Sequence, residues 1–375
     1  MFCMRAYRHL FSEFKVSIFF PSNSAFKSES FLDLLNSSLN FPAMGMIYHL
    51  RSFHLVLEFE DLQLSRKRNL FDQVFPNILA TLHGPHHGIS GFSLDLQAKD
   101  HNGPRSVDWS LISPNFHSAF HALCCSPDLT TLRLKHLLNV PRTILRGLRI
   151  RHLELQVVHF ADSDPQIDDD PTRRHDVIQP ESLVIPTYWL LPTVVVALEG
   201  NVKPLLEFND RFQLAFAYLT DLTITVVNHN RAAYLYLMPQ LRSLRLLHLF
   251  IYPTYPKQLV HPTVDFFSYP ENNIPSSLQH LTIEAKADSN AFSSEEVVRE
   301  MQRDSKGWPA FDSLLSGSEF RKVQDIHFWI RFQPPKGGEA TPMARCREII
   351  LKHLPRLTDT DPPHSFWTLL STSEN

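Results

Sequence analysis

The stretch Asp128–Pro141, DLTTLRLKHLLNVP, decides how the rest of the chain is read. Leu129, Leu132, Leu134 and Leu137 carry its apolar weight, and the residues at 130, 131, 133 and 135 are polar or charged. In an extended chain successive side chains point to opposite faces. With the apolar residues at positions 1, 4 and 6 of a short window, positions 4 and 6 face one way and positions 3 and 5 the other. The stretch is a short strand with one buried side and one wet side.

The pattern recurs along the chain. It reads Leu50/Phe53/Leu55, Ile89/Phe92/Leu94, Ile150/Leu153/Leu155 and Leu219/Leu222/Ile224. It continues as Leu241/Leu244/Leu246, Leu278/Leu281/Ile283 and Val323/Ile326/Phe328. Positions 2, 3 and 5 of these copies hold no large apolar residue. A strand of form LxxLxL followed by a return segment is the strand half of a leucine-rich repeat. Leu129 to Ile150 spans 21 residues and Leu219 to Leu241 spans 22, inside the repeat's range of about 20–29. Longer gaps leave room for longer return helices. RKRNLFDQVFPNILATLHG has helical spacing, with Pro76 forcing a kink or restart. NFHSAFHALC stacks Phe116, Phe120 and Leu123. TPMARCREIILKHLPRL opens on a Thr-Pro start signal and stacks Met343, Cys346, Ile350 and Leu354. Pro141 opens a return helix after the first-quoted copy. Position 9, where the repeat usually carries Asn or Cys, holds Leu137, Val158, Val227 or Leu249. An asparagine ladder is absent from the pattern, and apolar packing is expected to hold an irregular array.

Composition fits a folded chain: 43% of the residues are hydrophobic and 20% charged, which allows a large core. With 27 Pro against 11 Gly, fixed turns are expected rather than flexible linkers. A net charge of −3 gives no basic excess for nucleic acid or a membrane surface. Apolar runs fall short of a membrane span and of a secretory leader. Cys3, Cys124, Cys125 and Cys346 form neither a disulfide framework nor a zinc spacing, so reduced thiols in the cytosol or nucleus are expected. HGPHHG, with His83, His86 and His87, reads as a turn at a helix end. Cys124 and Cys125 end an apolar helix, where no thiol pKa is lowered, and read as buried structural thiols. ADSDPQIDDDPTRRHD (161–176) reads as an acidic solvated loop without the glycine a calcium loop needs. DSKGWPAF and FQPPKGGEATP read as loop breaks. Phosphate-loop, nucleophile-elbow and zinc-protease motifs are absent from the sequence. No catalytic residue, metal site or cofactor is expected.

The pieces PDLTTLRLKHLLNVPRTILRGLRIRHLEL, YLTDLTITV, MPQLRSLRLLHL, IPSSLQHLTIEA and FRKVQDIHFWIRF, with the closing Leu354, Pro355 and Leu357, resemble the fungal F-box proteins with irregular leucine-rich repeats. CMRAYRHLFSEFKVSIFF (3–20) is similar to the segment that directly follows an F-box there, matching at Cys3, Tyr7, Arg8, Leu10 and Phe11. The F-box itself would lie before Met1. The resemblance implies an α/β fold: an irregular leucine-rich-repeat solenoid, a curved and mostly parallel sheet with helices on its convex side. Residues 1–20 are then the segment after an absent F-box and the first strand, residues 21–360 a solenoid of about eight repeats, and residues 361–375 a frayed tail. It also implies a protein partner selected for ubiquitination. The strand pattern places the candidate partner-binding residues at positions 3, 5 and 7 of the copies. They are His54, Arg133, Lys135, His152, Glu154, Asp221, Arg245, His280, Glu284, Asp325, His327 and Trp329, with Trp329 an exposed aromatic anchor. The alternatives are an enzyme with its pocket in residues 160–220, where ESLVIPTYWLLPTVVVALEG is strongly apolar, or a decaying gene product.

Overall fold

In several copies the amide of the first apolar residue donates to the carbonyl three residues earlier, so these strands are entered from a tight turn. Leu129 bonds to Ser126, Leu219 to Phe216, Leu244 to Leu241, Leu278 to Pro275 and Val323 to Phe320, at 2.9–3.2 Å. The carbonyl of position 2 then accepts two amides, from positions 2 and 3 of the next copy. Arg51 receives Ser90 and Gly91, Ser90 receives Thr130 and Thr131, and Thr130 receives Arg151 and His152. Further on, Glu181 receives Thr220 and Asp221, Thr220 receives Arg245 and Leu246, Arg245 receives Gln279 and His280, and Gln279 receives Gln324 and Asp325. These bonds measure 2.7–3.2 Å. A buried strand entry must place every amide and carbonyl, and a fork repeated from copy to copy does so with the same geometry each time.

The computed structural model describes residues 13–20, 50–59, 70–84, 87–100, 103–145, 148–161, 179–185, 216–227, 241–252, 259–267, 274–287, 294–304, 306–332, 341–359 and 365–372. The described residues fall into two compact units, running from Glu13 to Pro180 and from Glu181 to Thr372.

In the first unit β1 (Glu13–Phe20), β2 (Ser52–Phe59) and β3 (Gly91–Asp100) pair in parallel. The short β4 (Gly103–Asp108) folds back antiparallel on the end of β3. β5 (Thr131–Val140) is parallel to β3 and β4, and β6 (His152–Phe160) to β5. Glu13, Ser52, Gly91, Thr131 and His152 share one register row. Pairing in this register puts position 4 on position 4 and position 6 on position 6, so Phe53, Phe92, Leu132 and Leu153 form one buried row. Each fully buried Leu or Phe contributes about 1.5–3 kcal/mol.

Helices cover that row. A π-helical turn (Leu70–Val74) runs into α1 (Phe75–Leu82), so Pro76 restarts the helix in its first turn, where a missing N–H costs least. Ser113 caps α2 (Pro114–Cys124), accepting the Phe116 amide while its own hydroxyl donates to the Phe71 carbonyl. Phe120 meets Phe92 edge-on at 5.8 Å, and Phe71 meets Phe59 at 6.0 Å and Phe116 at 5.5 Å.

β5 and β6 each bend at position 8. His136 and Val157 lie between the pairs Lys135/Gln156 and Leu137/Val158, and both have left-handed φ, 56° and 53°. The bend turns position 9 inward, where Leu137 and Val158 are buried. Apolar side chains occupy the place where an asparagine ladder would stand.

In the second unit β7 (Ser182–Ile185), β8 (Asp221–Val227), β9 (Leu246–Tyr252), β10 (His280–Ala287), β11 (Asp325–Phe332) and β12 (Ser365–Thr372) are successively parallel. α3 (His261–Phe267), α4 (Ser294–Arg303), α5 (Gly307–Leu315), α6 (Thr341–His353) and α7 (Pro355–Asp359) intervene. Trp308 of α5 meets Phe328 of β11 edge-on at 6.0 Å. Buried Asp312 caps α7 from the side, its carboxylate accepting the amides of Arg356 (3.2 Å) and Leu357 (3.1 Å). Those are two of the orphan donors of a helix start.

Several expectations are corrected. LRSLRLLHL holds two overlapping frames, and the chain uses the later one: Leu244, Leu247 and Leu249 take positions 1, 4 and 6, because Leu247 pairs with Leu222 and Leu281. Leu241 instead anchors the entry turn. PESLVI (Pro180, Leu183, Ile185) is a further copy with proline at position 1. DSKGWPAF is not a break, since α5 starts inside it and Trp308 is buried. The tail beyond residue 361 contains β12, in register with β11. HGPHHG closes as a two-residue antiparallel bridge between His83–Gly84 and His87–Gly88. The acidic loop at 162–176, the proposed pocket wall at 186–200 and the second break at 333–340 lie outside the described residues.

Candidate recognition face

With positions 4 and 6 in the core, positions 3, 5 and 7 of each strand stand on the opposite face. In the first unit this stacks Lys15, His54, Ser93, Arg133 and Glu154 in one row, and Ser17, Val56, Asp95, Lys135 and Gln156 in the next. Neighbouring strands lie about 4.8 Å apart, so adjacent side chains in a row reach each other. Glu154 is shared by two cations, Arg133 Nε at 3.0 Å and Lys135 Nζ at 3.1 Å, and accepts the Gln156 amide at 2.7 Å. Asp95, opposite Lys135 in the row, brings a second carboxylate beside that cluster. Asp95 accepts from His136 Nδ1 at 2.8 Å and from the Gln97 amide at 2.9 Å.

At the other end of the row, His54 Nε2 lies 2.9 Å from Glu13 Oε1 and 3.3 Å from Ser52 Oγ. Burial pushes the His54 imidazole below its usual pKa. Arg133 and Lys15 add to that shift, and Glu13 opposes it without overcoming it. The carboxylate is an acceptor, so the neutral imidazole carries its proton on Nε2 toward Glu13. Between these two clusters a depression of about 260 Å³ opens over Gly91, lined by Glu13, Ser52, His54, Ser90, Gly91, Phe92, Thr131 and Arg133. Gly91 makes the space: a Cβ there would stand 2.7 Å from Ser52 Oγ.

In the second unit His280 Nδ1 pairs with Asp325 Oδ2 at 2.9 Å across β10 and β11. His327 lies beside Thr282 in the position-5 row. His248 packs against Phe250 with the rings tilted and their centres 4.2 Å apart. Its Nε2 is 3.5 Å from Glu284 Oε2 and has no hydrogen-bond partner, and the Trp329 indole N–H is likewise buried without one.

The sequence-selected residues therefore fall in two sets. His54, Arg133, Lys135, His152 and Glu154 share the face of the first unit. Asp221, His280, Glu284, Asp325, His327 and Trp329 share the face of the second, with the Thr220 hydroxyl donating to Asp221 at 2.7 Å. Three are corrected. Arg245 stands at position 2, before β9 begins, and His248 and Phe250 take the face positions of that copy. Glu284 is 2% exposed rather than solvated, since Phe250 and Trp329 flank it in the row. Trp329 is half-buried rather than exposed. Sequence reading also missed Glu13 and Ser52. The alternation in EFKVSIFF was the available signal for Glu13.

Of the cysteines, Cys124 and Cys346 are buried, but Cys125 is exposed, correcting its reading as a buried thiol. Burial raises all three thiol pKa values, that of Cys346 to about 11, so these thiols stay protonated near neutrality. Among the described residues no group of three or more His, Cys, Asp or Glu is placed to hold a metal ion, and no helix is long and apolar enough to cross a membrane. The chain matches no protein-family model and no curated protein.

Proposed function

We propose that the chain is a non-enzymatic protein-recognition module, an irregular leucine-rich-repeat solenoid whose wet strand face binds a protein. The observation that carries this reading is the in-register stacking of polar, charged and aromatic side chains at positions 3, 5 and 7. Successive strands lay these side chains out in rows, with carboxylates and histidine in both units and Lys and Arg in the first. Repeat arrays bind through such surfaces, and aromatic and arginine anchors among polar contacts supply most of the energy in protein interfaces. The resemblance to fungal F-box repeat proteins names the partner class, a protein selected for ubiquitination.

Affinity capture from a cell lysate tests this. A partner retained by the wild-type chain is lost when Lys135→Glu and His327→Ala are combined, while the helix-surface variant Glu348→Ala keeps it. Fused behind an F-box, the wild-type chain directs ubiquitin onto that partner. Equal retention by all three chains contradicts the reading.

A further inference from the structure

The depression over Gly91 has two electrical poles. On β1 stands Glu13, its Oε1 2.9 Å from His54 Nε2, an imidazole whose pKa burial lowers. On β5 stands Arg133, whose Nε lies 3.0 Å from Glu154, a carboxylate that also holds Lys135 at 3.1 Å. Between them the lining is small and hydroxyl-bearing: Ser52, Ser90 and Thr131 around a glycine floor. A purely anionic ligand such as a phosphorylated side chain would meet Glu13, and a purely cationic one would meet Arg133. A volume of about 260 Å³ lies below the usual range for drug-sized ligands, about 300–1,000 Å³, and so suits a few side chains rather than a cofactor.

We propose that this depression is the subsite for an extended segment of the partner that carries a cationic and an anionic side chain flanking one small residue. Its cation faces Glu13, its anion faces Arg133, and the backbone of the small residue between them lies over Gly91. Alternate side chains of an extended peptide are spaced about 6.8 Å apart. The backbones of β1 and β5 are three strand steps apart, about 14 Å, and the Glu13 and Arg133 side chains reach in from either side. The inference rests on the protein-recognition reading and deepens it. Like-charge juxtaposition is the strongest discriminator available to such a site.

The test uses the full chain and capped nonapeptides with a central Lys-Ser-Asp or Asp-Ser-Lys, titrated to millimolar concentration by calorimetry. One of these dipolar peptides binds about tenfold tighter than Lys-Ser-Lys, Asp-Ser-Asp or Ala-Ser-Ala. Glu13→Lys moves the preference to Asp-Ser-Asp, and Arg133→Glu moves it to Lys-Ser-Lys. Gly91→Ala fills the floor and weakens the dipolar peptide about tenfold, the nearest contact of the new methyl being Ser52 Oγ at 2.7 Å. Indifference to charge pattern, tighter binding of an Asp-phosphoserine-Asp peptide, or no binding by the folded chain overturns the proposal. If the captured partner is kept by Glu13→Lys and Arg133→Glu but lost with the Lys135/His327 pair, this subsite fails while the recognition reading stands.

Discussion

Val157 holds a left-handed φ of 53° although it is β-branched and 43% exposed. Left-handed backbone costs about 1–2 kcal/mol for an L-residue with a Cβ, and little burial offsets it there. Val157→Gly is therefore expected to stabilise the chain by about 1 kcal/mol, read as a raised urea midpoint with unchanged slope. Asp312 works in the opposite sense. It is 4% exposed and holds the Arg356 and Leu357 amides, so Asp312→Ala leaves two donors at the start of α7 without their acceptor. A loss of about 1–3 kcal/mol is expected in the same denaturation experiment. Neither residue stands out in the sequence. Positive φ at Val157 arises because two adjacent strands bend together, and Asp312 acts on a helix more than forty positions later.

At the scale of elements, strand pairing settles the choice between overlapping frames. In β9 the side chain of Leu247 is fully buried, whereas Leu246 is partly exposed on the wet face. Leu247→Ala should cost about 2–5 kcal/mol and Leu246→Ala under about 1 kcal/mol, measured by urea unfolding. The frame read from the sequence alone gives the reverse order. Alternation of apolar and polar residues made most strands legible, including the quoted copy at Leu129, because a half-buried strand leaves a period of two in its own sequence. The frame in LRSLRLLHL was not legible. Leu241 and Leu244 also satisfy the pattern, and only pairing with β8 and β10 separates core strand from entry turn. β7 was hidden by proline at position 1, and α5 by a Gly-Trp-Pro start that also reads as a turn.

Across the whole molecule, protonation sets a common limit on stability. Burial lowers the pKa of His54, His117 and His353, with Lys352 adding to the shift at His353. His117 stacks on Trp109 with ring centres 4.7 Å apart and lies 3.1 Å from its carbonyl. Below about pH 6.5 the unfolded chain binds protons that these sites refuse in the folded chain. Stability is thus expected to fall as pH drops from about 6.5 toward the folded values, and His117→Gln should flatten that slope in urea midpoints taken between pH 8 and 5. The candidate face was partly legible, since eleven of its twelve sequence-selected residues stand at the register positions where alternation put them; Arg245 was lost to the frame shift, and the burial of Glu284 and Trp329 depends on neighbours from other strands. The central claim, that the strand face and not the helices meets a partner, is tested most directly by site-specific photo-crosslinking in lysate. A photoreactive residue at His152, His280 or His327 is expected to capture one and the same protein, and one at His121 or Glu348 on the helices to capture none of it. Crosslinks from the helix positions alone, or equal crosslinks from both sets, would contradict the account.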